Sequence, residues 1–384
     1  MLMNHYKQLF QLPEAIHYLN AAYMSPLLRS VEEAGYQALI KKRNPTQIKP
    51  VDFFTTAARV KGLFAQLVQA STQQIAIIPS ASYGLMTAIK NLPTNQGSKV
   101  LVVSDEFPSG YYTAERWCLE HGQSIAVVPA PEVHSERGAL WNQQILAAID
   151  DSCTAIVIST IHWADGTIFD LETIGEACQK HNCHFIVDGT QSVGAMPIDV
   201  NTCRIDALVC AGYKWMMGPY ASGLAYYSKK YNHGKPLEES WMNRANAENF
   251  AALTNYTSEY SEGAGRFNMG EFSSFNLMPM LEAALIQLLE WTPEMITAYV
   301  DELAKPLIAF CKANGFWVEE EDYRAKHLFS IGLPSGIERT DLLKALEEAQ
   351  VYVSVRGEGI RVSLHLFNTQ EDIQAFIDVL SKSL

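Results

Sequence analysis

Seven short apolar, β-branched runs punctuate the first two-thirds of the chain, and helical spacing fills several of the gaps between them. The runs are Ile75 to Ile78, Val100 to Val103, Ile125 to Val128, Ala155 to Ile158, Phe185 to Val187, Ala207 to Cys210 and Leu224 to Tyr227. The helical segments are Tyr83 to Lys90, Tyr111 to His121, Asn142 to Ile149 and Leu171 to Lys180. Strands that alternate with helices of this length predict an α/β fold whose sheet is mostly parallel and covered on both faces. The last third breaks that rhythm. A long helix from Met278 to Trp291 leads into another from Pro293 to Ala313. Short runs follow at Phe316 to Glu319, His327 to Leu333, Val351 to Val355 and Ile360 to Ser363, with helices at Thr340 to Ala349 and from Gln370. This α+β pattern predicts a large domain over residues 17–291 and a small one built from 1–16 and 292–384. Between Ser228 and Gly270 the chain is polar with scattered aromatics, and reads as a long excursion near a site or interface.

At 384 residues the chain can bury a core without disulfide or metal staples. Its 29 basic and 42 acidic side chains leave a formal charge of −13. That is the wrong sign for a nucleic-acid binder, whose footprint is a basic face, and for a polybasic membrane anchor. The 7 cysteines, an odd number, follow no regular framework. They read as free thiols in apolar surroundings and point to a reduced, cytoplasmic protein. Residues Met1 to Gln11 lack the pattern of a signal peptide, and no apolar run approaches the ~20 residues needed to span a bilayer.

In open α/β sheets ligands sit beyond the carboxyl ends of the strands. Those ends read Pro79-Ser80-Ala81-Ser82, Asp105 to Ser109, Ser159 to Gly166, Asp188-Gly189-Thr190-Gln191 and Ala211-Gly212-Tyr213-Lys214. Small polar residues opening a helix, an aromatic, a carboxylate and a lysine therefore converge on one rim. No Gly-x-Gly-x-x-Gly fingerprint and no P-loop is present, so dinucleotide or nucleoside triphosphate binding has no support. A lysine and a carboxylate facing one phosphate-binding turn suit pyridoxal 5'-phosphate. That cofactor needs a Schiff-base lysine, an acid against its pyridine nitrogen and an anion cradle. Two other groupings compete for attention. Cys178, His181, Cys183 and His184 cluster, but they straddle a helix end and a pairing strand that points neighbours to opposite faces, so no metal is expected. His162 beside Trp163 reads equally as an acid–base group or as an ordinary hydrogen-bonded histidine.

The segment Val187 to Gly194, followed by Pro197-Ile198-Asp199, resembles the aspartate-bearing strand of the class V aminotransferase family. That family groups cysteine desulfurases, isopenicillin-N-epimerase-like proteins and kynureninases. Asp206-Ala207 through Lys214 to Gly218-Pro219 and Gly223-Leu224 resembles its lysine segment. Tyr18-Leu19-Asn20-Ala21-Ala22 with Pro26 is similar to its N-terminal signature. Ile360-Arg361-Val362-Ser363, with Phe367-Asn368-Thr369 and Glu371-Asp372, is similar to its C-terminal one. The four stand in family order across nearly the whole chain. The resemblance implies fold type I, with a mostly parallel seven-stranded sheet in the large domain and a smaller α+β domain. It also implies an amino-acid substrate and a homodimer with active sites at the interface.

Roles follow from the same resemblance. Lys214 holds the cofactor as a Schiff base, yields it to the substrate's amine and then moves the α-proton. A free lysine, with a pKa of ~10.4, is a poor base at neutral pH, and burial lowers that value. Asp188 keeps the pyridine nitrogen protonated; read alone it is a turn aspartate after a strand. Gln191 meets the cofactor's phenolic oxygen. Ala81 and Ser82 offer amides, and Ser82 its hydroxyl, to the phosphate, although a serine there also serves as a plain helix cap. Tyr213 occupies a phosphate-contacting position where most cysteine desulfurases have histidine, and Ser274 lies in a segment that reaches the neighbouring subunit's phosphate. Because a guanidinium fork binds carboxylates bidentately, Arg361 is the candidate for the substrate's α-carboxylate, with Arg356 as the alternative and Asn20 as a further substrate contact; an ion pair on an exposed strand is the plain reading of Arg361.

Several positions depart from the pattern. Phe107 stands where cysteine desulfurases place a histidine over the ring, and a phenyl holds a ring without carrying a proton. Glu106-Phe107-Pro108-Ser109 is instead similar to kynureninase and epimerase-like sequences. Trp163 replaces an asparagine of many relatives, and Ala211 a serine. The only cysteine after residue 210 is Cys311, inside a helical segment, which disfavours desulfuration. The expected activity is amino transfer or an epimerase-like reaction. A kynureninase-like or other C–C or C–S lyase, and a non-catalytic cofactor-binding module, are the alternatives.

Overall fold

In the computed structural model, which describes residues 4–384, the apolar runs of the first two-thirds pair into one seven-stranded sheet. In chain order the elements begin with β1 (His17–Tyr18), α1 (Arg29–Lys42) and α2 (Asp52–Leu67). Next come β2 (Ile75–Ile78), α3 (Ala81–Lys90), β3 (Lys99–Val103), α4 (Pro108–His121), β4 (Ser124–Val128) and α5 (Arg137–Ala148). The sheet is completed by β5 (Cys153–Ser159), α6 (Leu171–Lys180), β6 (His184–Asp188), β7 (Ala207–Ala211) and β8 (Gly223–Tyr227). Strand order is β2-β8-β7-β6-β5-β3-β4. Only β8 runs antiparallel, to β2 on one side and β7 on the other. Every residue of β2 and β5 is buried, because helices cover both faces; that is why these strands show no polar alternation.

The chain continues through α7 (Leu277–Trp291), α8 (Pro293–Ala313), β9 (Leu328–Ile331) and α9 (Arg339–Glu348). It ends with β10 (Val351–Tyr352), β11 (Ser354–Arg356), β12 (Gly359–Ser363) and α10 (Gln370–Lys382). β11, β12 and β9 form a separate antiparallel sheet, while β10 pairs in parallel with β1. Two expectations change here. The run Val351 to Val355 is two strands serving different sheets. Phe316 to Glu319 forms only a single bridge, Trp317 to Gly332. The N-terminal segment bonds to both parts of the chain: the Ala22 amide donates to Ser363 Oγ, and Ser25 N–H donates to Tyr213 O.

Two features position the site. Parallel register sets Ser159 of β5 level with Asp188 of β6, and Asp188 level with Val209 of β7, so their carboxyl ends share one rim. The start of α3 is seated against that rim because Gly84 has no side chain. A Cβ there would stand 2.7 Å from Val209 Cγ1 and 2.8 Å from Ile78 Cδ1.

Candidate active site

A cavity of about 330 Å³ opens at this rim. Ala81, Ser82, Phe107, Asp188, Gln191, Tyr213 and Lys214 all line it. One wall is the N-terminus of α3. Ser80 caps the helix: its hydroxyl accepts from Tyr83 N–H at 3.3 Å and its carbonyl from Gly84 N–H at 3.2 Å. The Ala81 and Ser82 amides remain at the open helix end, where the macrodipole favours an anion. The Ser80 and Ser82 hydroxyls lie 2.9 Å apart beside them.

Asp188 ends β6 and is buried, with Thr190 N–H donating to Oδ1 at 2.9 Å. Burial pushes its carboxyl above the usual range, and the hydrogen bonds from Thr190, followed by the Lys214 charge, only partly offset this. Thr190 also ties the strand ends together, since its Oγ1 accepts from Ala211 N–H at 3.1 Å. Lys214, just beyond β7, is 7% exposed. Its Nζ lies 5.6 Å from the Phe107 ring centroid and 5.7 Å from that of Tyr213. Burial lowers its pKa to about 8; Asp188 works against that shift, while Arg361 and Arg356 add to it.

Gln191 is already engaged on both sides of its amide. Its oxygen accepts from Trp215 Nε1 at 2.9 Å and its nitrogen donates to Ala22 O at 3.2 Å, which leaves one N–H for a ligand. Phe107 meets Trp163 edge-on, ring centroids 5.4 Å apart. The Trp163 indole N–H donates to Asp105 O at 2.7 Å, so Trp163 contributes a wall rather than the hydrogen bond of an asparagine.

The remaining assignments fall outside the cavity lining. Arg361 on β12 is buried, and its Nη1 donates to Trp163 O at 2.8 Å. Its Nε and Nη2 have no partner. Burial, with Arg356 close by, lowers its pKa to about 9. Asn20 accepts from Ser354 Oγ at 2.7 Å and donates to Val353 O at 3.4 Å, which ties the β1 extension to the small sheet. Ser274 precedes α7, its carbonyl accepting from Met278 N–H at 2.9 Å. His162 lies outside the cofactor-cavity lining, its Nδ1 3.0 Å from Asp165 Oδ1 and its Nε2 3.2 Å from Asp105 O. Among the described residues no group of three or more histidine, cysteine or acidic side chains is placed to hold a metal.

Sequence reasoning passed over Glu106. It is buried, and its carboxylate accepts from Ser159 Oγ at 2.6 Å, Ser159 N–H at 3.0 Å and Phe107 N–H at 2.8 Å. It thereby fixes the backbone from which Phe107 projects. A carboxylate drawn into a hydrogen-bonded interior position leaves no periodic signal; only the unusual polarity of Glu106 between two strand-end segments could have pointed to it.

The donor set fits pyridoxal 5'-phosphate on chemical grounds. A buried carboxylate suits a protonated ring nitrogen, open helix amides suit a phosphate, and an amine lowered to about 8 suits a carbonyl. Solved structures share the fold. The apo cysteine desulfurase of Thermococcus onnurineus NA1 gives a TM-score of 0.85 at 16% identity, covering 100% of this chain and 98% of that one. The cystine C–S lyase C-DES, complexed with cysteine persulfide, gives 0.85 at 18% identity, covering 96% and 98%. Fold and site thus define a pyridoxal-phosphate-dependent enzyme. The family model described as aminotransferase class-V matches residues 50–376, and the chain belongs to that family. An uncharacterized aminotransferase of Bacillus subtilis (strain 168), YcbU, is 25% identical over 386 residues, covering 99% of this chain and 98% of the relative. A kynureninase of Shouchella clausii (strain KSM-K16) is 25% identical over 376 residues, covering 92% and 82%.

Proposed function

We propose that the enzyme removes the α-proton of an amino acid, with amino transfer or an epimerase-like inversion as the outcome. The observation that carries this reading is Lys214: a buried amine lowered to about 8, in a cavity that neither histidine nor cysteine lines. A base with that pKa is partly neutral near pH 7, where proton transfer is most effective. The bound cofactor supplies an electron sink that acidifies the α-carbon. Asp188 would hold the ring nitrogen's proton, the α3 amides would hold the phosphate, and Phe107 would pack against the ring and exclude water. Arg361 presents its free Nε–Nη2 edge to the α-carboxylate, which orients the α-proton toward Lys214. Among the described residues Lys214 is the only basic side chain lining the cavity, and a single base favours amino transfer, in which the proton taken from the α-carbon would be handed to the cofactor on the same face rather than replaced from the opposite one.

Desulfuration has no nucleophile here. Cys311 is buried within α8, and burial pushes its thiol up to about 12. Kynureninase-like C–C cleavage is the second reading, favoured by Phe107 and Tyr213 in the cavity wall and by similarity to the Shouchella clausii enzyme. A homodimer belongs to the same proposal. Tyr36, Leu39 and Ile40 of α1 and the preceding Tyr23, Met24 and Leu27 are exposed apolar groups suited to a partner surface, and Ser274 is assigned to the partner's site. The 7 unpaired cysteines agree with a cytoplasmic setting. No helix among the described residues is long and apolar enough to cross a membrane.

The test is a spectral screen of amino acids against the cofactor-loaded protein, followed by product analysis. A keto acid is expected, and Lys214→Ala is expected to lose the visible absorbance of the lysine-bound cofactor. Protein that never takes up the cofactor sinks the reading. A spectrum indifferent to every amino acid sinks it in favour of a binding module.

A further inference from the structure

We propose that Arg356 is a second carboxylate receptor, so that the substrate is an amino acid with an acidic side chain. This rests on Lys214 and Arg361 forming an amino-acid site. The two arginines are built alike. Arg356 ends β11, anchors its Nη1 on Val355 O at 2.7 Å and leaves its buried Nε without a partner. Arg361 anchors its Nη1 on Trp163 O at 2.8 Å and leaves Nε and Nη2 without partners. In each case the Nε side of the guanidinium fork, the edge that matches a carboxylate, is left open.

Both converge on Trp163. Arg361 holds its carbonyl, while the Arg356 guanidinium carbon stands 5.6 Å from its ring centroid. Trp163 lines the cofactor cavity on one side. On its other side it lines a cleft of about 1190 Å³, together with Arg356. The other arginines of that cleft are neutralised: Arg137 pairs with Asp165 at 2.9 Å and Glu319 at 3.3 Å, and Arg339 with Glu358 at 3.2 Å. Arg356 stands in no ion pair among the described residues, although Asp105, Glu338 and Glu358 line the same cleft. Arg361 and Arg356 both lie near enough to Lys214 to lower its pKa, and of the three cationic groups only Lys214 is set against Asp188. An amino acid with a single carboxylate satisfies Arg361 and leaves Arg356 unmatched. A second carboxylate, carried past Trp163 into the cleft, satisfies both.

Two measurements on the cofactor-loaded protein test this. Calorimetry compares succinate, glutarate and adipate, which lack an amine and do not react, with the monocarboxylate of equal length. At least one diacid is expected to bind about ten-fold tighter or more, as a charged hydrogen-bonded pair allows. Arg356→Gln should weaken the diacid about ten-fold more than the monocarboxylate and so abolish that preference, and Arg356→Lys should restore part of it. The visible spectrum then compares aspartate with asparagine and glutamate with glutamine. An acid should act at about ten-fold lower concentration than its amide in the native protein, and at a similar concentration in Arg356→Gln. Equal response to acid and amide in the native protein overturns the inference and leaves the amino-acid site standing. So does an Arg356→Gln variant that weakens mono- and dicarboxylates alike. A spectrum that no amino acid changes overturns both.

Discussion

Replacing Lys214 by methionine should make the cofactor-free protein more stable at neutral pH. The ammonium group is displaced from 10.5 to about 8, chiefly by burial. At 1.36 kcal/mol per unit, that displacement corresponds to about 3 kcal/mol by which the fold disfavours the charged lysine. The direction follows from proton counts. Below pH 8 both folded and unfolded chains carry the proton, and the folded state bears the whole cost of a buried charge. Between about pH 8 and 10.5 the unfolded lysine keeps its proton while the folded one has lost it, so native stability rises with pH. Methionine fills a similar volume and does not titrate. Its advantage should be about 3 kcal/mol at pH 7, or roughly 4 °C in Tm for a chain of this length, and should vanish above pH 10.5. Urea unfolding of the stripped native and Lys214→Met proteins, run at steps from pH 7 to 11, measures the difference and cancels the titrations not coupled to Lys214. A methionine variant no more stable than the native protein at pH 7, or one whose advantage ignores pH, would refute the reasoning.

Two further outcomes are expected. Asp188→Asn keeps the shape of the β6 terminus but removes the charge that holds a ring proton, so turnover should fall about 10²–10³-fold while cofactor still binds; steady-state kinetics beside a cofactor titration separates the two. Gly84→Ala places a methyl 2.7 Å from Val209 Cγ1 and 2.8 Å from Ile78 Cδ1 in a packed core. It should cost about 1–3 kcal/mol by chemical denaturation, and weaken cofactor affinity by lifting the α3 terminus off the sheet.

The large sheet was legible because its strands are buried on both faces: Ile75–Ile78 and Ala207–Ala211 are unbroken apolar runs that periodicity detects without knowing their partners. The two helices before β2 were not marked out. α1 buries only Val31 and Gly35 and leaves Tyr36, Leu39 and Ile40 exposed, so its apolar residues trace no core-facing stripe. Val351 to Val355 reads as one strand because its first half pairs with His17–Tyr18, more than three hundred residues away, while only its second half forms the local hairpin with Gly359–Ser363. At the site, strand-end order pointed to the lysine, the carboxylate and the helix start, since the topology of an open sheet brings those ends together. Interior employment was invisible. Neither the engagement of both sides of the Gln191 amide nor the two bonds from Ser159 to Glu106 can be read from neighbours in sequence, because those partners come from other elements.

The pairing of His17 with Val351 bears on how the molecule is made. β1 has no other strand partner, so during synthesis it waits until almost the entire chain has been translated. Arg361 emerges later still, on a strand whose Ser363 receives the Ala22 amide. The rim, lined by residues between Pro79 and Ser222, is translated well before Arg361. With Arg361 taking the substrate carboxylate as proposed, nascent chains should acquire cofactor competence before substrate competence.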